Sequence, residues 1–370
     1  MQVSESPYVM KPLFIIATCC LMAGFSNLQA QAPKIKKVST KVPSKSLFNA
    51  DEVVSLTLVA NLSGLLKDRS SQTPASYKAA FSYVDAPRNS LALPIKLMVR
   101  GNFRRDAKHC RFPPLLLDFP KTKTVNTPFA RHAKLKLVTH CQTEEYVVRE
   151  YLVYKLYNLL TDFSFRARLA KVTYQDSSGK RATETKYGFL LEDEASVARR
   201  NKATPYPPNK LNMARADTVQ MATVAVFEYL IGNTDWSVPF RHNIRLFSNP
   251  KRTRPMPVPY DFDHSGIVEA PYAYPAEQLA IQSVRQRLYR GYGYPQAVFD
   301  RVFKKFKKHK AAIYALYQNQ PTLPPGYVKR TLKYLDEFYE VIDSPRLVKR
   351  LFVEQGQQNV AGGVVIKGLN

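Results

Sequence analysis

The hydrophobic period of this chain changes partway along it, and that change constrains the fold more than any other feature. Residues 53–59, 91–99 and 134–138 alternate apolar and polar side chains, as half-buried strands do. In the last of these, KLKLV, the lysines Lys134 and Lys136 face away from the leucines. Over 144–160 the spacing becomes helical: Val147, Tyr151, Tyr154, Leu156 and Leu159 recur, and Thr143-Glu144-Glu145 supplies a cap and an acidic first turn. Residues 170–175 and 187–191 return to strand and flank Asp176-Ser177-Ser178-Gly179, a turn sequence that predicts a hairpin.

Beyond Glu192-Asp193-Glu194 the pattern is helical. Residues 217–230 carry Val219, Ala222, Val226 and Leu230 on one face and stop at Gly232-Asn233. Helices are expected again over 277–289, 295–317 and 326–342, and residues 355–370 read as a frayed tail. The expectation is an α+β chain of two lobes, β-rich over 48–194 and helical over 195–353, followed by a flexible tail over 354–370.

The N-terminus reads as an address rather than as structure. Met10-Lys11 is a short basic start, 12–25 an apolar run and Ala30-Gln31-Ala32 a small-residue cleavage pattern, so 1–32 is expected to be a signal peptide, with the nine residues before Met10 a misplaced start. The apolar run falls short of the roughly 20 residues that a spanning helix needs. Residues 33–47 form a basic, proline-interrupted linker. The expected destination is the periplasm or the exterior of a bacterium.

Removal of the signal takes Cys19 and Cys20 with it and leaves Cys110 and Cys141, which predicts one disulfide in an oxidising compartment. Each follows a histidine, His109 or His140, so a site of two thiolates and two imidazoles is the alternative. Lys and Arg number 55 against 29 Asp and Glu, a formal charge of +26 that attracts polyanions. The charges are dispersed among apolar positions and no RNA- or DNA-binding motif accompanies them, so no specific nucleic-acid binding is expected. An anionic envelope surface remains a possible partner. The Lys304, Lys305, Lys307, Lys308 run reads as the wet side of an amphipathic helix.

Chemistry concentrates between Gly232 and Gly266. Asp235 follows a helix end and stands eight residues before Asn243, then a short strand, a basic loop and a second strand lead to Asp261-Phe262-Asp263. Phosphoryl transfer needs a carboxylate to take the acceptor proton, oxygen ligands for a hard cation, and a lysine for the phosphates. Acid, amide, strand pair and acid in that order can supply the first two. Carboxylates inside an apolar run are costly unless paired or metal-bound, which singles out Asp261 and Asp263. Trp236, the only tryptophan, reads as a packing residue.

With Arg100-Gly101-Asn102 and Tyr187-Gly188-Phe189-Leu190-Leu191-Glu192 added to Asn233-Thr234-Asp235, His242-Asn243 and Asp261-Phe262-Asp263, the chain resembles the CotH-type atypical kinases over nearly the whole mature domain. It is more remotely similar to HipA-like kinases. The resemblance implies a two-lobed protein-kinase-like fold with its site in the cleft, and ATP with Mg2+ or Mn2+ as cofactors. By position Asp235 would be the catalytic aspartate, Asn243 and Asp261 metal ligands, and Asp263 a supporting ligand. Either Lys134 or Lys136 would hold phosphate, with Arg100 and Glu192 completing the nucleotide site. Glu150 would pair with that lysine or Arg149 would bind phosphate, and His264 would partner Asp263. The implied activity is an exported phosphotransferase acting on a protein or other hydroxyl acceptor. The alternative is a non-catalytic binding module for an anionic envelope component.

Overall fold

A computed structural model of the chain describes residues 47–86, 89–207 and 210–362, within the compact unit Thr40–Asn370. The expected signal peptide, the linker as far as residue 46 and the last eight residues of the expected tail lie outside the described residues.

Seven strands close into a barrel: β1 (Val54–Ala60), β2 (Tyr77–Ala86), β3 (Asn89–Val99), β4 (Leu115–Asp118), β5 (Lys134–Val138), β6 (Ala167–Asp176) and β7 (Glu184–Leu191), in the ring order β1-β2-β3-β4-β5-β7-β6. β1 lies parallel to β6, with Val54 opposite Ala170, and that pairing closes the ring; the other neighbours are antiparallel. β1 buries Val54, Leu56, Leu58 and Ala60 and turns Ser55 outward, so strand period and barrel interior agree. Phe81 meets Phe119 and Phe129 edge-on at 5.3 Å inside, packed with Leu97, Leu117, Leu135 and Leu137. β2 and β4 fall where no strand is expected from sequence. The expected hairpin at Asp176 is present as β6 and β7.

The expected two-lobed protein-kinase-like fold is corrected by this topology. The strands form a closed mixed barrel rather than the β-rich lobe of such a fold. A second core joins α2 (Glu144–Leu160) and the Phe189 and Leu191 side chains of β7 to the helical half as far as Phe352. The physical reason lies in burial. Ala167, Arg168, Leu169 and Ala170 are all buried in succession, as are Gly188 to Leu191, so these strand ends are covered on both faces. α2 is likewise buried around most of its circumference, as a central helix must be.

After α1 (Leu62–Lys67), α2 and α3 (Glu194–Arg200) comes α4 (Thr218–Ile231), which the sequence delimits well. The Asp217 side chain accepts the Gln220 N–H at 3.0 Å, and Gly232 closes the other end at φ +69°. A Cβ at Gly232 would come within 2.8 Å of the Val284 carbonyl oxygen, so glycine is needed there twice over. A small antiparallel sheet follows, β8 (Thr204–Pro205), β9 (Ile244–Ser248) and β10 (Met256–Pro259) in the order β10-β9-β8.

The remaining α-helices among the described residues are α5 (Gln296–Lys308), α6 (Lys310–Gln318), α7 (Pro325–Asp343), α8 (Pro345–Val348) and α9 (Gln355–Gly362), the last two joined by a π-helical turn over Lys349–Glu354. The single helix expected over 295–317 breaks at His309, where the Lys305, Lys307 and Lys308 cations favour a C-terminus. No helix forms over 277–289. That segment spends its arginines on other elements: Arg287 Nε donates to the Leu230 carbonyl at the end of α4 at 3.2 Å and Arg285 Nη1 to the Gly266 carbonyl at 3.4 Å, while Arg290, just beyond the segment, donates to the carbonyls of Thr234 and Trp236. Residues 355–362, expected to fray, are helical, and Asn359 Nδ2 donates to Gly291 O at 2.8 Å. Among the described residues no helix is long and apolar enough to cross a membrane.

Candidate functional site

The loop after α4 is built to orient one carboxylate. The Asp235 N–H donates to Asn233 Oδ1 at 3.0 Å, and a bridge between Ser237 and His242 closes the loop around Val238 to Arg241. His242 Nε2 then lies 2.7 Å from Asp235 Oδ1, while Asn243 Nδ2 donates to Asp235 O at 2.8 Å and to Oδ2 at 3.1 Å. Both Asp235 oxygens are thereby directed. The same bonds commit the amide nitrogen of Asn243 and leave its oxygen as the atom for a cation. Arg241 and Asn243 hold φ of +55° and +50°, a left-handed geometry that asparagine tolerates and that is costly for arginine.

The β9–β10 hairpin returns the chain beside this loop, and Tyr260 N–H donates to Asn243 O at 3.0 Å. Phe262 is fully buried against Tyr154 and Phe227, which anchors the segment that carries Asp261 and Asp263. Asp261, at φ +65°, donates its N–H to the Tyr154 hydroxyl at 2.9 Å, and its side chain is 43% exposed. Asp263 is buried and hydrogen-bonded by the Tyr272 hydroxyl.

Arg104, on the turn Phe103–Arg105 beyond β3, joins these acids to α2. Its Nη1 lies 2.8 Å from Glu150 Oε2, its Nη2 2.8 Å from Asp261 Oδ1 and its Nε 3.3 Å from Asp263 Oδ2. The three carboxylates place an oxygen each within 4.8 Å of one another, the spacing of a metal-ligand set, and the guanidinium stands against all three. Burial works against the charge on Arg104, but Asp263, Glu150 and Asp261 hold its pKa well above the ordinary value. Burial likewise pushes Asp261 up, and Arg104, Arg100 and Lys136 outweigh it, so this carboxyl sits below the usual range. Glu150 goes the other way, raised by its burial against the pull of Arg104.

Arg100, Lys136, Asp235, Asn243, Asp261 and Asp263 all line one cleft of about 400 Å³. Of the two lysines left open by sequence, Lys136 is the one in the cleft: its Nζ stands 5.2 Å from the centre of the Tyr260 ring, and burial, aided by Arg100, lowers its pKa to about 8. Lys134 is 58% exposed and lies 3.9 Å from Asp118 instead. Glu192 is also outside the cleft, buried where it accepts the Arg166 N–H at 2.9 Å and Arg200 Nε at 3.0 Å. Glu150 pairs with Arg104 rather than with a lysine, and Arg149 packs 3.8 Å from the Tyr327 ring, bonded to Glu145. His264 lines the cleft, but its Nδ1 has no hydrogen-bond partner among the described residues. Trp236 is a packing residue under Arg290.

Cys110 and Cys141 form a disulfide, so among the two arrangements the sequence allows the thiolate metal site is excluded. The bridge pins the segment that carries Arg100 and Arg104 to the end of β5. Arg104 and Arg245, which also line the cleft, carry no signal in the sequence, because their meaning depends on acids from distant elements: Glu150, Asp261 and Asp263 for Arg104, and Glu194 of α3 for Arg245.

Chemically the cleft offers an oriented carboxylate able to take a proton, a cluster of hard oxygen donors, and a basic rim suited to phosphate oxygens. In comparisons with known proteins, no family model and no curated protein matches this chain.

Proposed function

We propose that this cleft transfers a phosphoryl group from a nucleoside triphosphate, ATP as the first candidate, to a hydroxyl on a protein or other acceptor. The observation that carries the reading is the convergence of Arg100, Lys136, Asp235, Asn243, Asp261 and Asp263, from distant parts of the sequence, on one concave surface. The resemblance to CotH-type kinases supports the same chemistry. It does so without the two-lobed fold that the resemblance also implied.

The donor atoms fit a divalent ion such as Mg2+ or Mn2+ in kind. The Asn243 amide oxygen and the carboxylates of Asp261 and Asp263 are hard ligands, and Asp261 is the one open to the cleft. A bound ion would neutralise charge on the transferred group. Asp235, its oxygens fixed by His242 and Asn243, accepts the acceptor hydroxyl proton. Lys136 and Arg100 bind phosphate oxygens at the rim, and Arg104 sets the orientation of Asp261 and Asp263. The disulfide supports action outside the cytoplasm.

The test is transfer of the labelled terminal phosphate of ATP by the mature chain with Mg2+ or Mn2+. Asp235→Ala and Asp261→Ala are expected to lower the rate by roughly two orders of magnitude or more while the protein stays folded. Full activity in both variants overturns the proposal.

A second reading draws on one feature, the Arg104 guanidinium already standing among the acids. A module that only holds an anionic envelope component needs the basic rim and no ion. No thermal shift with ATP and Mg2+, combined with salt-sensitive binding of polyanions, favours that reading.

A further inference from the structure

A second concave region, about 520 Å³, lies where the β9–β10 loop, the start of α4 and one face of α5 meet, and it shares no lining residue with the cleft of Asp235. Five cationic side chains surround it: Lys251, Arg252 and Arg254 from the loop, and Arg301 and Lys305 from α5. Only two carboxylates, Asp162 and Asp217, line it with them.

The partners of these groups leave most of the positive charge uncompensated. Arg252 reaches Asp217 at 3.4 Å, but Asp217 is also the α4 cap through Gln220 N–H. Arg254 donates to the Ala214 carbonyl and the Thr218 hydroxyl, and Lys305 to the Thr223 hydroxyl at 3.4 Å, all neutral acceptors. Burial, with Arg301 and Arg252 added to it, lowers the Lys305 pKa. Cations gathered from two separate segments around a hollow repel one another, and an anion seated between them removes that repulsion. Thr161, Thr253 and Asn201 add neutral hydrogen-bonding groups to the same walls.

We propose that this region is a binding site for a compact oligoanion carrying several phosphate groups, separate from the Asp235 cleft. Its volume exceeds what a single phosphate fills, and its concavity suits a small ligand better than a flat charged surface. The site uses guanidinium forks for the oxygens, with Lys305 among the lining cations.

The experiment is calorimetric titration of the full mature chain with sodium tripolyphosphate at physiological ionic strength. Arg252→Gln combined with Arg301→Gln, both at exposed positions, is expected to weaken one binding event roughly tenfold or more. Lys136→Gln, in the other cleft, leaves that event unchanged. Lys304→Gln with Lys308→Gln removes the same charge from α5 at positions that do not line the site, and is expected to weaken it less than threefold. Equal losses in the two double variants, or no loss in the first, overturn the proposal.

Discussion

Replacing Arg104 by Met keeps an unbranched apolar stem and removes the guanidinium with its charge. The guanidinium makes contacts of 2.8, 2.8 and 3.3 Å to Glu150, Asp261 and Asp263, and its side chain is 8% exposed. Removing one member of a buried charge network costs about 3–5 kcal/mol, because the partners stay behind uncompensated. For a domain of this size that loss lowers Tm by roughly 5–8 °C. The pH dependence carries a further signature. Glu150 in the parent protein is raised from 4.5 to about 8, so its contribution is fully present below pH 4.5 and is lost as pH rises through 8. Without Arg104 the pull that lowers the Glu150 pKa is gone, and the fall of stability extends to higher pH. Divalent ions should restore part of the loss, by about 2.7 kcal/mol at a hundredfold excess over Kd. Thermal unfolding between pH 5 and 8, with and without Mn2+, measures all three effects. A variant as stable as the parent at every pH and indifferent to Mn2+ would show that Arg104 does not compensate the triad.

Two other predictions follow from groups on the rim and beneath it. Lys136 is lowered from 10.5 to about 8, so binding of a non-hydrolysable ATP analogue should weaken as pH passes 8. In the free protein the same shift makes the unfolded state bind more protons between pH 8 and 10.5, so stability should rise over that window, and Lys136→Met should abolish both slopes. The Cys110–Cys141 disulfide spans 31 residues, and its reduction should cost about 3–4 kcal/mol in chemical denaturation. It should also weaken analogue binding, through the segment carrying Arg100 and Arg104; reduction that leaves both unchanged removes the bridge from the account.

Much of the local structure was legible because local signals decide it. The alternation in β1 and β5, the Asp217 cap and the Gly232 stop of α4, and the turn at Asp176 all act within a few residues. The acids of the site were legible for a related reason: Asp235, Asn243, Asp261 and Asp263 lie in one short stretch whose strand pair folds back on itself. What remained hidden depends on distant contacts. Nothing near Val54 announces Ala170 as its neighbour, so the closure of the barrel, and with it the failure of the two-lobed reading, could not be seen. Lys134 and Lys136 occupy equivalent positions in the strand pattern, and only the approach of Tyr260 and Asp261 separates them. The segment 277–289 has helical spacing, yet its arginines bond carbonyls elsewhere, Arg287 at the α4 end and Arg285 at Gly266.

The strands shared by the two cores impose a constraint on how this sequence can change with time. In β6, Ala167 and Leu169 pack among the helices while Ala170, Val172 and Tyr174 fill the barrel; in β7, Phe189 and Leu191 go one way and Leu190 the other. A single inserted residue within either strand would turn the side chains on one side of it to the opposite face, sending barrel residues toward the helices and the reverse. Insertions are therefore confined to the exposed turn at residues 177–183, and the two cores must evolve as one.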